Sequence, residues 1–432
     1  MNKTNHACLA MVLFAAATFA LAPTPVAAAP PKNVILLIGD GMGFEEVRAA
    51  GMYENGVGGT LSFEALPRQA EVTTYSASAA ITDSAAAGTA IATGVKVNNG
   101  VISMAFPGDA GELWTLLEDA ASLGRLTGLV TTTYITHATP ATFGAHEPSR
   151  NNLSQIASDY LNQTRPTVLF GGGANGITTG AAAAAGYTVV TSRTAMQALD
   201  TNTVTRVSGQ FGTTHLPYEW DYFTGAVNGY DTLPHLSEMA ATALDILDNN
   251  PNGFFLMIEG GRIDHAGHSN NIQRNVFETI EFEHAVNVAL NWATGRANTL
   301  ILVTADHETG GLAVLQNNGQ GNFPTVSWSS NYHTSVNVPV YAWGHNASMA
   351  TGILDNIDFF DLVTVSDTPN LGDMNCDGLV DPGDVGPFVQ ALMNPPGYNA
   401  AHALCDIALA DLNGDGAADG GDIQPFLTVL IP

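Results

Sequence analysis

Positive charge is what this chain has least of. Its 432 residues include 13 lysines and arginines against 40 aspartates and glutamates, a formal net charge of −27. No lysine or arginine follows Arg296, while nine aspartates lie between Leu371 and the C-terminus. Such a surface repels nucleic-acid phosphates, which argues against polymeric DNA or RNA as a partner. Cysteine is scarce as well, with Cys8, Cys376 and Cys405 the full set. Long hydrophobic runs are missing after the first 29 residues, so no later stretch can span a bilayer. Those first residues (1–29) carry Lys3, an apolar stretch around Leu9 to Leu21, and Val26-Ala-Ala-Ala29. That order predicts a secretory signal peptide cleaved near Ala29, and therefore an exported, periplasmic, cell-surface or extracellular protein. Cys8 precedes the apolar core, which argues against a lipoprotein cysteine.

What the chain does have is carboxylate and imidazole placed after apolar runs. Phe254-Phe-Leu-Met-Ile258 and Leu300-Ile-Leu-Val303 read as buried strands. The first leads into Glu259, Asp264, His265 and His268, the second into Asp306 and His307. Asn33-Val-Ile-Leu-Leu-Ile38 is a third such run, and the glycines around Asp40 let that side chain project from a strand end. Open α/β sheets place their sites at such strand ends. Carboxylate plus imidazole without thiolate suits zinc that does chemistry more than zinc that holds a fold. Thr82-Asp83-Ser84 then enters an Ala-rich helix, which puts Ser84 near a helix N-terminus, where negative charge is favoured. A helix terminus and a metal together could hold that hydroxyl as alkoxide.

These blocks resemble the alkaline phosphatases. The opening strand with Asp40, Asp83-Ser84-Ala, His137-Ala-Thr139-Pro, Glu259 to His268, and Thr304-Ala-Asp306-His307 follow in the family's order from about Pro31 to Val365. The resemblance implies a phosphomonoesterase with two zinc ions and one magnesium. Ser84 would be the residue transiently phosphorylated. One zinc would take Asp264, His268 and His333, and the second Asp40, Asp306 and His307. Magnesium would take Asp40, Thr139 and Glu259, an all-oxygen set for a hard cation. Arg150 would clamp the phosphate with its guanidinium fork, and His265 would stand by the same phosphate. Asp83 and His137 would support these groups from behind. His137 and His265 replace the aspartate and lysine of many bacterial members, as in animal and several marine bacterial enzymes, which puts an imidazole beside the magnesium position.

Phe170-Gly-Gly-Gly173 lacks the Lys-Ser/Thr of a P-loop and reads as a strand-end turn. His146, His215, His235, His284, His345 and His402 read as structural or exposed. Runs at 33–38, 126–133, 167–170, 254–258, 300–303 and 338–342 alternate with helical stretches such as Leu236–Asp248 and Ile272–Trp292. That alternation predicts an α/β fold with a mostly parallel sheet covered by helices on both faces, from residue 30 to 365.

Residues 366–372 shift to linker-like composition, and the tail from 373 to 432 is a different object. Asp373, Asn375, Asp377, Asp381 and Asp384 recur as Asp411, Asn413, Asp415, Asp419 and Asp422. Oxygen side chains at loop positions 1, 3, 5, 9 and 12 with glycine at 6 are what an EF-hand-type calcium loop requires. Each loop precedes a similar apolar helix, and two loop-helix repeats of this kind resemble a dockerin-type module. That likeness implies bound calcium and a protein partner, cohesin-like or at the cell surface. Cys376 and Cys405, the cysteines left after signal removal, would staple a module too small for a large core. Two alternatives stay open: a phosphodiesterase or sulfatase-like relative on the same scaffold, or a non-catalytic binding or scaffold protein.

Overall fold

The computed structural model describes residues 30–226, 232–296, 298–365, 371–375, 380–402, 405 and 407–431. The signal-peptide expectation (residues 1–29), most of the linker (366–370), Cys376 and Asp377 lie outside the described residues. Apolar, β-branched segments form the strands: β1 (Asn33–Ile38), β2 (Arg68–Thr73), β3 (Leu126–Tyr134), β4 (Val168–Gly172), β5 (Thr188–Val190), β6 (Val207–Gln210), β7 (Phe254–Glu259), β8 (Thr299–Thr304), β9 (Leu312–Gln316), β10 (Thr325–Trp328), β11 (Val338–Gly344) and β12 (Gly352–Asp355). Ten of them make one sheet in the order β12-β2-β11-β8-β1-β7-β3-β4-β6-β5, and β9 pairs with β10 as a separate hairpin. Strand β11 runs antiparallel to both β8 and β2, while the other pairings in the large sheet are parallel.

At the centre lie β8, β1, β7 and β3, buried on both faces as parallel strands under helical layers must be. Val34 to Ile38 of β1 and Phe254 to Ile258 of β7 have no exposed surface. Register matters more than burial for the site. Ile38 lies level with Glu259 and Thr304, and Glu259 with Thr131, so four strands deliver their following loops to one edge. The long helix Ile272–Ala293 packs on helices Phe44–Asn55, Leu236–Leu247 and Arg262–His268, which braces that edge from one side.

The expected strands all form, with ends shifted by one or two residues. Unforeseen are β2, β5, β6, β12 and the β9–β10 hairpin. Arg68-Gln-Ala-Glu-Val-Thr73 has four polar residues of six and sits between β12 and β11, so its pattern carries no continuous apolar run.

The tail has its own core of Met374, Phe388, Ala391, Tyr398, Ala410 and Phe426. Phe388 and Phe426 stack with centroids 4.0 Å apart and planes 6° from parallel. Helices Val385–Met393 and Ile423–Leu430 carry these rings, each entered through a short turn, Pro382–Asp384 and Gly420–Asp422. The two turns repeat in geometry: Asp384 Oδ2 accepts from Asp381 N–H and Asp422 Oδ2 from Asp419 N–H, both at 2.9 Å. Cys405 is disulfide-bonded.

Candidate metal centre and nucleophile

Helix Arg262–His268 places Asp264 and His268 one turn apart on the same face. His333 joins them from the segment before β11, and the three offer ligand atoms within 4.8 Å of one another. His268 Nδ1 donates to the Asn331 carbonyl at 2.7 Å and His333 Nδ1 to the Thr82 carbonyl at 2.8 Å. Since a carbonyl only accepts, each ring in its neutral form would present an unprotonated Nε2. Those nitrogens face Asp264 Oδ1 at 3.3 and 3.5 Å. Acceptors converging on acceptors call for a cation between them.

Asp40, Asp306 and His307 form a second convergence, also within 4.8 Å, and this one is wholly buried. His307 Nε2 stands 3.2 Å from Asp306 Oδ2 and 3.6 Å from Asp40 Oδ1. Both carboxylate oxygens of Asp40, and Asp306 Oδ2, have no hydrogen-bond partner among the described residues. Burial pushes the Asp40 carboxyl well above its ordinary range, and Asp306, Asp264 and Glu259 push it further. Burial, then Asp264, raise Asp306 to about 7. Burial drives His307 well below the ordinary imidazole value, and His333 and His268 lower it again. Apart from Arg150, whose charge lowers Asp40 and Glu259, the protein's own groups leave a buried nest of acids short of counter-charge, an arrangement that cations would complete.

Asp40 belongs to a third group, with His137 and Glu259. Glu259 Oε2 accepts from Thr131 and, at 3.2 Å, from Thr133, while Oε1 has no hydrogen-bond partner. Thr139, buried on helix Ala138–Gly144, stands two residues beyond His137 at the same strand end. The sequence reading kept His137 behind the ligands. Its place at the N-cap of that helix puts a ring nitrogen within 4.8 Å of both carboxylates, a position open to a supporting residue or a ligand.

Ser84 opens helix Ser84–Thr93, with Asp83 as N-cap accepting from Ala86 N–H at 3.0 Å. Gly94 closes the helix in the left-handed region at φ 70°. Ser84 Oγ lies 3.4 Å from His307 Nε2 and is 3% exposed. Arg150 Nη1 donates to Asp83 Oδ2 at 3.0 Å, and its Nη2 approaches His137 Nε2 at 3.4 Å. One carboxylate therefore both caps the helix and aims the guanidinium. Gly41 allows the close packing here: at φ +75°, an added Cβ would lie 2.8 Å from Asp264 Cα.

Every catalytic-half residue singled out from the sequence falls in this region. His265 stands among His137 and His215, with ring centroids 5.9 and 4.5 Å away. Burial, then Arg262, lower His265 to about 3, so it offers a neutral hydrogen bond rather than a charge. His215 was read as structural or exposed. It stacks obliquely between Tyr134 and His265, a placement that no local pattern signals. Missed too were Thr309, which donates to Asp264 Oδ1 at 2.6 Å, and Thr131 and Thr133 at Glu259. Period-two threonines on β3 were the available clue. Glu219, His235 and Glu281 also converge. There His235 Nδ1 already meets both Glu219 oxygens, at 3.0 and 2.8 Å, and Glu281 accepts from Ser237 N–H and His284.

Fold and site together define an α/β protein with a serine beside clustered, cation-demanding carboxylates. The alkaline phosphatase family model matches residues 31–183 and 172–325, and the chain belongs to that family. Alkaline phosphatase 4 of Bacillus subtilis is 37% identical over 316 residues, covering 68% of this chain and 64% of that protein. The chain thus spans a little under two thirds of the length of this relative. The alkaline phosphatase of Escherichia coli is 30% identical, over 77% of this chain and 85% of its own. Among solved structures, a histidine-to-aspartate variant of TAB5 alkaline phosphatase with Mg bound in its M3 site is 28% identical. It superposes at a TM-score of 0.68, covering 79% of this chain and 100% of that one. Among the described residues no helix is long and apolar enough to cross a membrane.

Proposed function

We propose that this chain is an exported phosphomonoesterase that releases inorganic phosphate through a phosphoserine on Ser84. The observation that carries the reading is Ser84 Oγ at a helix N-terminus, 3.4 Å from His307 and beside the unpartnered Asp40 carboxylate. Asp264, His268 and His333 would hold one zinc, and Asp40, Asp306 and His307 the other. Asp40, Thr139 and Glu259 would hold magnesium, with His137 close enough to take part. When bound, such cations supply positive charge to the phosphoryl oxygens and lower the pKa of oxygen nucleophiles.

The chain's own groups then divide the work. Arg150, held by Asp83, grips two phosphate oxygens and sets phosphorus in line with Ser84 Oγ. Ser84 Oγ forms the new P–O bond while the ester P–O bond breaks and the alcohol departs with a proton. Water then attacks the phosphoserine, freeing phosphate and restoring the serine hydroxyl. Helix Ser84–Thr93 favours the negative charge throughout. In the tail, Asp373 to Asp384 and Asp411 to Asp422 would bind calcium as a dockerin-type module for a cohesin-like or cell-surface partner. Cys405 would pair with Cys376.

The test is hydrolysis of a chromogenic phosphomonoester by the protein and by Ser84→Ala, beside a diester and a sulfate ester. Monoester turnover abolished by chelator and by Ser84→Ala is the expected result. Preference for the diester or the sulfate would overturn the reaction while leaving the scaffold. No turnover with zinc and magnesium supplied would favour a binding protein.

A further inference from the structure

The ligand groups differ in how they meet solvent. Asp40 and His307 are fully buried, whereas the His268 and His333 side chains are 35% and 15% exposed. Ser84 lies on the buried side, against His307. In-line displacement puts the leaving oxygen opposite the attacking one. The departing group therefore emerges on the side of Asp264, His268 and His333.

One large side chain stands there. Tyr332 directly precedes His333, is 70% exposed, and meets the His268 ring nearly edge-on, with centroids 6.4 Å apart. Its backbone is fixed although its ring is bare. Tyr332 N–H donates to Ser330 Oγ at 2.9 Å, and its carbonyl accepts from Gly310 N–H at 3.0 Å. The neighbouring Asn331 carbonyl takes His268 Nδ1, and Thr334 N–H returns to the Glu308 carbonyl. Ile81, 47% exposed, adjoins Thr82, whose carbonyl holds His333. An aromatic face presented by a pinned loop loses little freedom when something stacks on it.

We propose that Tyr332 is a specificity-determining residue, a stacking platform for an aromatic ring carried by the leaving alcohol, such as the base of nucleoside 5′-monophosphates. The inference rests on the phosphomonoesterase reading. A flat base gains by covering the ring, whereas a small aliphatic alcohol leaves the ring uncovered. The platform touches only the leaving group, so it acts on binding and leaves phosphoserine hydrolysis alone.

The experiment compares the zinc- and magnesium-loaded protein with Tyr332→Ala and Tyr332→Phe, on adenosine 5′-monophosphate and glycerol 2-phosphate. Tyr332→Ala should raise KM for the nucleotide about tenfold, with kcat and the glycerol 2-phosphate KM within about twofold. Tyr332→Phe should keep the nucleotide KM. Equal changes on both substrates, no change on the nucleotide, or a Phe variant as poor as Ala would each overturn the platform. Those results leave the phosphatase intact. A wild-type protein that hydrolyses neither substrate overturns the phosphomonoesterase reading and the platform with it.

Discussion

The two halves of this chain use the same side chains to opposite local effect. In the catalytic part, Asp40 is wholly buried and neither of its oxygens receives a hydrogen bond among the described residues. In the tail, Asp384 and Asp422 are as deeply buried, yet each is filled by backbone N–H groups. Asp384 Oδ1 accepts from Met374 and Asn375 N–H, and Asp422 Oδ1 from Asn413 N–H. A large sheet can hold acids apart from water and from each other's relief, because four buried strands fix the backbone behind them. Among the described residues the tail's buried apolar core numbers six, too few to bear such strain, and Asp384 and Asp422 satisfy its own turns. Burial alone does not mark a candidate ion site; buried carboxylates and imidazoles that converge while their oxygens lack hydrogen-bond partners do.

The largest expected effect breaks the catalytic side of that contrast. Asp40→Ala removes the carboxylate common to two ligand groups. It should lower kcat by on the order of 10³-fold or more, and metal analysis should show at least one ion lost per chain. Retained activity would mean that the unpartnered oxygens are not where cations sit.

Next comes the tail. Phe388→Ala should remove about 3–5 kcal/mol, comparable with the whole stability of so small a core. Limited proteolysis should then degrade the segment after residue 371, while phosphatase activity stays within about twofold, since the large sheet keeps its own core. Activity lost together with the tail would show that the two halves fold as one.

A pH test sharpens the difference further. In chelator, Asp306 has a folded value of about 7 against an ordinary 3.8, and Asp40 is raised as well. A raised carboxyl stabilises fully below its unfolded value and loses that contribution as pH rises through the folded value. Asp306's own share, read as the metal-free Tm of the protein minus that of Asp306→Asn, should therefore fall between about pH 4 and pH 7, because the lowered histidines such as His265 and His307 move both proteins alike. Zinc should reverse the fall. A difference that climbs over this range would sink the argument. The smallest effect should be calcium removal with EGTA in zinc-replete buffer. Hydrogen exchange should quicken in helices Val385–Met393 and Ile423–Leu430 and stay unchanged in β1 and β7. The loop turns already own much of their hydrogen bonding, so the change is modest.

The sheet centre was legible because it obeys local rules, and the candidate ligand residues were singled out by the same rules. An apolar run long enough for one strand, followed by a small residue and an acid, predicts a projecting carboxylate whatever surrounds it, as at Gly39-Asp40 and Ala305-Asp306. Ser84 was readable from Asp83 and the alanines that follow. Strand β2 was not, because its burial comes from β11 and β12 rather than from its own side chains. Nor was His215, whose neighbours Tyr134 and His265 arrive from β3 and helix Arg262–His268.

By itself, then, the sequence determined which residues could be ligands, which hydroxyl could attack, and that an acidic repeat follows the catalytic part. These follow from periodicity, turn chemistry and residue type, which act over a few positions. Only the tertiary structure decided that His137 comes within 4.8 Å of the Asp40 and Glu259 carboxylates, that Arg150 is aimed by the N-cap of the helix Ser84 opens, and that Tyr332 meets solvent beside His268. Those relations depend on strand register and on which loops meet at one sheet edge. Distance along the chain has no bearing on either.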